Sequence, residues 1–184
     1  MRNLLIGLLA IIVAALGGCG ADEVLSESNA ADQPDYNEVE VVQFPSTHTV
    51  LINDIHYEVT EKSHLFTVSE EEIEPETLKA GDLVELTHSP QPIDHSSTDQ
   101  ETILSLKLYD DEKSRSISKA IAHVMENQEI GVISSPQIKS VSQQLVTLQF
   151  NDIKNRQKFE CIVNTQSLQF HIKKVNQAYT KKQP

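Results

Sequence analysis

The chain has 184 residues and carries 27 Asp and Glu against 15 Lys and Arg, a net charge of −12, with two cysteines and no tryptophan. That charge, together with the absence of interleaved basic and aromatic residues, speaks against a nucleic-acid partner. With so few cysteines, a disulfide framework is excluded as the source of the fold.

Arg2 precedes an apolar run from Leu4 to Leu16, which stops at Leu16-Gly17-Gly18-Cys19. A positive start, a short apolar stretch and small residues before a cysteine have the form of a secretory signal, and the run is short for a membrane span. The ordered Leu-Gly-Gly-Cys boundary is a lipobox, and here the chain resembles bacterial lipoproteins. The resemblance implies that the Cys19 thiol receives a diacylglyceryl group, that residues 1–18 are removed, and that the protein sits on the extracytoplasmic face of the cell membrane. An ordinary signal peptide or a short membrane anchor, with an incidental cysteine, is the alternative. Residues 19–35 then read as an acidic tether, since GADEVLSESNAADQPD lacks the apolar surface needed to order itself. Sixteen such residues span about 20 Å as a coil and at most about 55 Å fully extended.

From residue 36 to 110 the apolar pattern has a period of two, the signature of β structure. Val39, Val41 and Phe44 predict a strand ending at Pro45. Val50, Ile52, Ile55, Tyr57 and Val59 predict one long strand with an irregularity at Asn53-Asp54, and Leu65 to Val68 a third. Ser69-Glu70-Glu71-Glu72 has capping-box spacing and predicts a short helical turn broken by Pro75. Lys79-Ala80-Gly81-Asp82 predicts a turn, followed by strands over Asp82–Thr87 and Thr102–Tyr109. Five strands in this length suit a small barrel. The segment Gly81-Asp82-Leu83-Val84-Glu85-Leu86 after its turn resembles OB-like domains of uncharacterised Gram-positive lipoproteins, which implies an OB-like five-stranded β lobe over residues 36–110.

The period changes at Ile117, Ala120, Ile121, Val124 and Met125, which recur at helical spacing and predict a helix from Ser114 to about Gln128. Strands over Ile130–Ile133, Leu145–Phe150, Lys158–Val163 and Leu168–Ile172 follow, separated by Ser135-Pro136, Lys154-Asn155-Arg156 and Thr165-Gln166. A helix packed on an antiparallel meander makes residues 114–172 an α+β lobe, and residues 173–184 a basic tail. The expected fold class is mainly β with α+β character, with separate cores joined near Asp110–Lys113. The order of elements resembles PepSY-type modules, in which a helix precedes strands ending in a Val-Asp-x-x-Thr-Gly-like turn. The corresponding Val163-Asn164-Thr165-Gln166-Ser167-Leu168 has Asn for the acid and no glycine. That resemblance implies a non-catalytic module associated with secreted proteases or envelope regulation.

Residues 19–115 hold 23 acids and 5 Lys/Arg, whereas residues 116–184 hold 4 acids and 9 Lys/Arg. Two mutually attracting lobes account for this asymmetry, and a basic surface for polyanions or lipid is the alternative.

Catalytic constellations are sparse. Ser116-Ile117-Ser118-Lys119 has the Ser-x-x-Lys spacing of penicillin-recognising enzymes without their partner motifs. Asp94-His95-Ser96 sets triad residue types side by side, which is not a converging geometry. Cys161 alternates with Phe159 and Val163, so a small core hydrophobe is its simplest role and a catalytic thiol the sharper one. The acidic run from Glu70 to Glu76 lacks EF-hand spacing and reads as a solvated turn. Five histidines, His48, His56, His64, His88 and His95, fall in the acidic lobe. His88, Asp94 and His95 bracket a loop stiffened by Pro90 and Pro92, and imidazole with carboxylate suits zinc, copper or nickel; solvated surface is the alternative. The expectation is therefore a non-enzymatic lipoprotein without a cofactor. It is held to the membrane through Cys19 and presents an interaction module to an envelope protein, with metal or solute capture through the histidines as the alternative.

Overall fold

A computed structural model describes residues 34–89, 101–127, 132–154 and 156–175. Strands β1 (Glu40–Pro45), β2 (Thr49–Ile52), β3 (Ile55–Glu58), β4 (His64–Thr67), β5 (Leu83–His88) and β6 (Glu101–Leu108) form the first sheet. Its order is β3-β2-β1-β5-β6-β4, and a further pairing of β3 with β6 closes a five-strand ring. The mainly β fold with an OB-like barrel is thus present. Both β3 and β4 run parallel to β6, with Tyr57 opposite Glu101 and Leu65 opposite Leu106, so they are two stretches of one side of the wall.

The long second strand expected over residues 50–59 is instead a hairpin. Asn53 and Asp54 both have positive φ, 51° and 66°, which turns the chain in two residues and pairs Ile52 with Ile55. Asn and Asp tolerate that conformation because a short polar side chain can bond locally. The helical turn expected at Ser69–Glu72 is also absent. Glu70 lies at φ 62°, Thr67 N–H donates to Glu71 O at 2.8 Å, and Ile73 N–H donates to Leu65 O at 3.0 Å. The sole helical piece in this stretch is a 3-10 turn at Pro75–Thr77, where proline occupies the first position.

Helix α1 (Glu112–Met125) starts two residues earlier than expected, because Asp111 Oδ1 accepts from the N–H of Lys113 at 3.0 Å and of Ser114 at 3.1 Å. Ile117, Ala120, Ile121 and Val124 are fully or almost fully buried. Each large member of that stripe contributes about 1.5–3 kcal/mol by burial. Four antiparallel strands follow, β7 (Ile133–Ser142), β8 (Leu145–Asp152), β9 (Gln157–Asn164) and β10 (Phe170–Lys174), in the order β10-β9-β8-β7. Ser135-Pro136, expected to separate strands, lies inside β7. Ser135 takes φ 46°, and the register slips between Ser134 and Gln137, a bulge that absorbs the proline. Residues 130 and 131 of the strand expected at 130–133 lie outside the described residues, and β7 begins at Ile133. In the turn after β9, Asn164 Oδ1 accepts from Gln166 N–H at 2.9 Å and Ser167 N–H at 2.8 Å.

The core falls into two clusters. One fills the barrel with Val42, Val50, Ile52, Tyr57, Val84, Ile103 and Leu106 among others. The second lies around α1 and the inner face of the meander, and it also takes Tyr36, Val41, Leu83 and Tyr109. Val41 and Val42 point to opposite faces of β1 and are both fully buried, so the barrel wall is covered on its outer side as well. The described residues form one compact unit, in which the expected second core is shared by both lobes.

Two contacts fix the junction. Gly81, at φ 91°, lies so close to α1 that a Cβ there would sit 2.6 Å from Ser118 O and 2.8 Å from Ala122 N. Only glycine fits. On the far side, the Asp54 carboxylate accepts from Ser134 Oγ and Ser135 Oγ, both at 2.6 Å, from Gln43 Nε2 at 2.9 Å and from Ser135 N–H at 3.2 Å. Burial pushes its pKa upward, but the hydrogen bonds from Ser134, Ser135 and Gln43 outweigh this and hold it below the usual aspartate value.

Candidate functional site at the barrel mouth

The described residue that the sequence singled out for ligand chemistry, His88, ends β5 at one mouth of the barrel. The chain enters β6 at Glu101 on the same rim, where Ser89 N–H donates to Thr102 O at 2.9 Å. His88 Nδ1 lies 2.9 Å from Glu101 Oε2 and 3.1 Å from Ser89 O. The histidine ring tilts against Tyr57 at a centroid distance of 5.2 Å. Glu40 joins them from β1, because strand alternation places it on the face of Val42, inside the barrel. Glu101 and Ile103 share a face of β6 in the same way.

The electrostatics of this group are incompletely compensated. Glu40 Oε2 and Glu101 Oε2 are both buried, and neither has an aligned hydrogen-bond partner. For Glu101 the approach of His88 is therefore a charge contact without hydrogen-bond alignment. Burial raises the Glu40 pKa, and attraction to His88 offsets part of that rise. Burial also raises the Tyr57 pKa, helped by the charges of Glu40 and Glu101. Glu40 Oε2, removed from water without an aligned partner, costs free energy, about 1–3 kcal/mol for an unsatisfied group, whereas Glu101 Oε2 has the His88 contact at 2.9 Å. Such a group in a native fold calls for a role.

The other candidates are dispersed. His56 is exposed on β3, His64 stacks on Phe66 at 4.7 Å, and His48 borders a groove of about 600 Å³ with Glu58, Glu61, Glu72, Glu74 and Glu76. Asp94, His95 and Cys19 lie outside the described residues. Among the described residues no group of three or more His, Cys, Asp or Glu is placed to hold a metal ion. Ser116 Oγ donates to Glu112 O at 2.9 Å, a bond within the helix. Cys161 is fully buried, and burial pushes its thiol pKa up to about 11, opposite to the shift that activates a nucleophile.

The sequence pattern singled out His88 but not Glu40, Tyr57 or Glu101. The usable signal was parity: Glu40 and Glu101 each stand two residues before a barrel-facing apolar residue, Val42 and Ile103. No protein-family model matches the chain, and neither a curated protein nor a solved structure is similar to it. Among the described residues no helix is long and apolar enough to cross a membrane.

Proposed function

We propose that this protein is a non-enzymatic, membrane-anchored bacterial lipoprotein, held through lipid on Cys19 at the extracytoplasmic face of the cell membrane, where it presents an interaction module to an envelope protein. The observation that carries the reading is the ordered Leu16-Gly17-Gly18-Cys19 boundary followed by an acidic tether. Two acyl chains, at about 0.8 kcal/mol per buried methylene, anchor stably where one is marginal. The buried Glu40 and Glu101 carboxylates at the barrel mouth, with His88 as their shared charge partner, support a binding role, because a cationic group of a partner would complete their neutralisation. Crosslinking in the intact host, followed by identification of neighbours, tests this. An envelope protein recovered with the native chain and lost with Glu40→Gln/Glu101→Gln supports the reading. Recovery of lipid alone counts against it.

A second reading, metal capture, draws on one feature of His88. Its Nδ1 is engaged by Glu101 and Ser89 O, and a histidine held at one nitrogen by a carboxylate or carbonyl is oriented to bind a metal through the other. In that reading His88 acts with Asp94 and His95. Zinc should then raise the thermal midpoint in a concentration-dependent way, as any ligand specific to the native state does. The effect should fade at acid pH, where imidazole is protonated. A midpoint unmoved by zinc, or a rise that persists in His88→Ala/His95→Ala, removes this reading.

A further inference from the structure

A groove of about 630 Å³ lies between the barrel wall and α1, away from the barrel mouth. Leu108, Tyr109, Ile73 and Ala122 line its apolar part, and Lys79, Arg115 and Lys119 bring positive charge to it. Its size falls within the range of small-molecule sites, which favour junctions between packed units and combine an apolar lining with a few polar groups.

The charge pattern is unusual for this half of the chain. Residues 19–115 carry only five Lys and Arg, and two of them, Lys79 and Arg115, line this one groove. Arg115 and Lys119 stand four apart on α1, one above the other on the same helix face. Among the described residues neither forms an ion pair. Asp82, also in the lining, is already engaged, since its Oδ2 accepts from Lys79 N–H at 2.7 Å and burial raises its pKa. Glu71 and Asp110 lie in the lining too, so with Asp82 three acids formally balance the three cations, which disfavours a polyanion and leaves the Arg115 and Lys119 pair on α1 as the locally positive part of the groove.

We infer that this groove binds an anionic amphiphile, a molecule with one phosphate or carboxylate head on Arg115 and Lys119 and a short alkyl body against Leu108 and Ala122. The guanidinium of Arg115 offers two parallel donors to such a head, and Lys119 adds a point charge. The inference rests on the reading of the protein as a binding module and names a ligand class for it. The groove is separate from the barrel mouth, so a small ligand and a protein partner can be held at once.

The test is calorimetric titration of the full chain, in vesicles of zwitterionic, net-neutral phosphatidylcholine, with hexyl phosphate, and in parallel with inorganic phosphate and with hexanol. Saturable binding of hexyl phosphate is expected, at least tenfold tighter than either half alone. Arg115→Gln/Lys119→Gln should weaken it at least tenfold. Both positions are exposed, so the variant's thermal midpoint should match that of the unaltered chain. Absence of saturable binding by both hexyl phosphate and hexanoate overturns the inference, as does equal binding of inorganic phosphate or hexanol, or undiminished binding by the variant. A hexanoate titration separates the two head chemistries, and binding of either ligand supports the class. If hexyl phosphate and hexanoate both fail while crosslinks to an envelope protein persist, the inference falls and the binding-module reading stands. If the crosslinks are lost as well, both fall.

Discussion

Replacing Gly81 with alanine tests how the barrel and helix are joined. The added Cβ meets Ser118 O at 2.6 Å and Ala122 N at 2.8 Å. Both are backbone atoms of α1, so no side-chain rotation relieves the contact, and either the helix or the Lys79–Asp82 turn must shift. The positive φ adds about 1–2 kcal/mol for any residue with a Cβ. Overpacking against a fixed wall adds about 1–3 kcal/mol. The expected loss is about 3 kcal/mol, or about 9 °C in Tm for a folded unit of this size. Urea unfolding followed by far-UV circular dichroism measures it, with an unchanged slope showing that the native state remains compact. A loss under about 1 kcal/mol would refute the close seating of α1, because the strained φ alone accounts for that much.

Asp54 and Glu40 set three further outcomes. Asp54→Asn should destabilise the unit by about 1–2 kcal/mol, since the replacement amide keeps one acceptor oxygen for four donors. Because the folded pKa of Asp54 is depressed, its contribution is present above the unfolded value and lost as pH falls through the folded one; an Asp54→Asn difference that stays constant to pH 2 in urea titrations would contradict this. Glu40→Gln should raise the thermal midpoint at pH 7. The folded pKa of Glu40 is raised, so its stabilisation is present in acid and lost as pH rises through that value, and the gain from glutamine should vanish below about pH 4; a variant less stable than the parent at pH 7 would show that ionised Glu40 is well paired.

Period and parity made most of the architecture legible. The alternation in residues 36–110 and the switch at Ile117 located the barrel strands and α1, because half-buried strands and an amphipathic helix impose those periods directly. What escaped was backbone chemistry at special residues. Asn53-Asp54 reads as a flaw in one strand until both are given positive φ, and then it becomes a hairpin turn. Ser135-Pro136 reads as a break, yet a bulge with Ser135 in the left-handed region keeps β7 running on both sides of it. Shared packing was equally hidden. Val41 and Leu83 serve the cluster around α1 rather than the barrel interior, and nothing in a local pattern assigns the outer face of a barrel wall to a helix so far along the chain. At the mouth, His88 was visible as a residue type, but its partners come from three other strands: Glu40 and Glu101 from the two neighbours of β5, and Tyr57 from β3, which the β3–β6 pairing brings round the ring.

Anchorage through Cys19 is the central element of the proposed function, and metabolic labelling with an alkyne fatty acid measures it directly. The native chain should carry label, migrate as the shortened form that begins at Cys19 and sediment with membranes, while Cys19→Ala should carry none and remain unprocessed or be released. Equal labelling of the two chains, or an unlabelled native chain in the soluble fraction, would contradict the account.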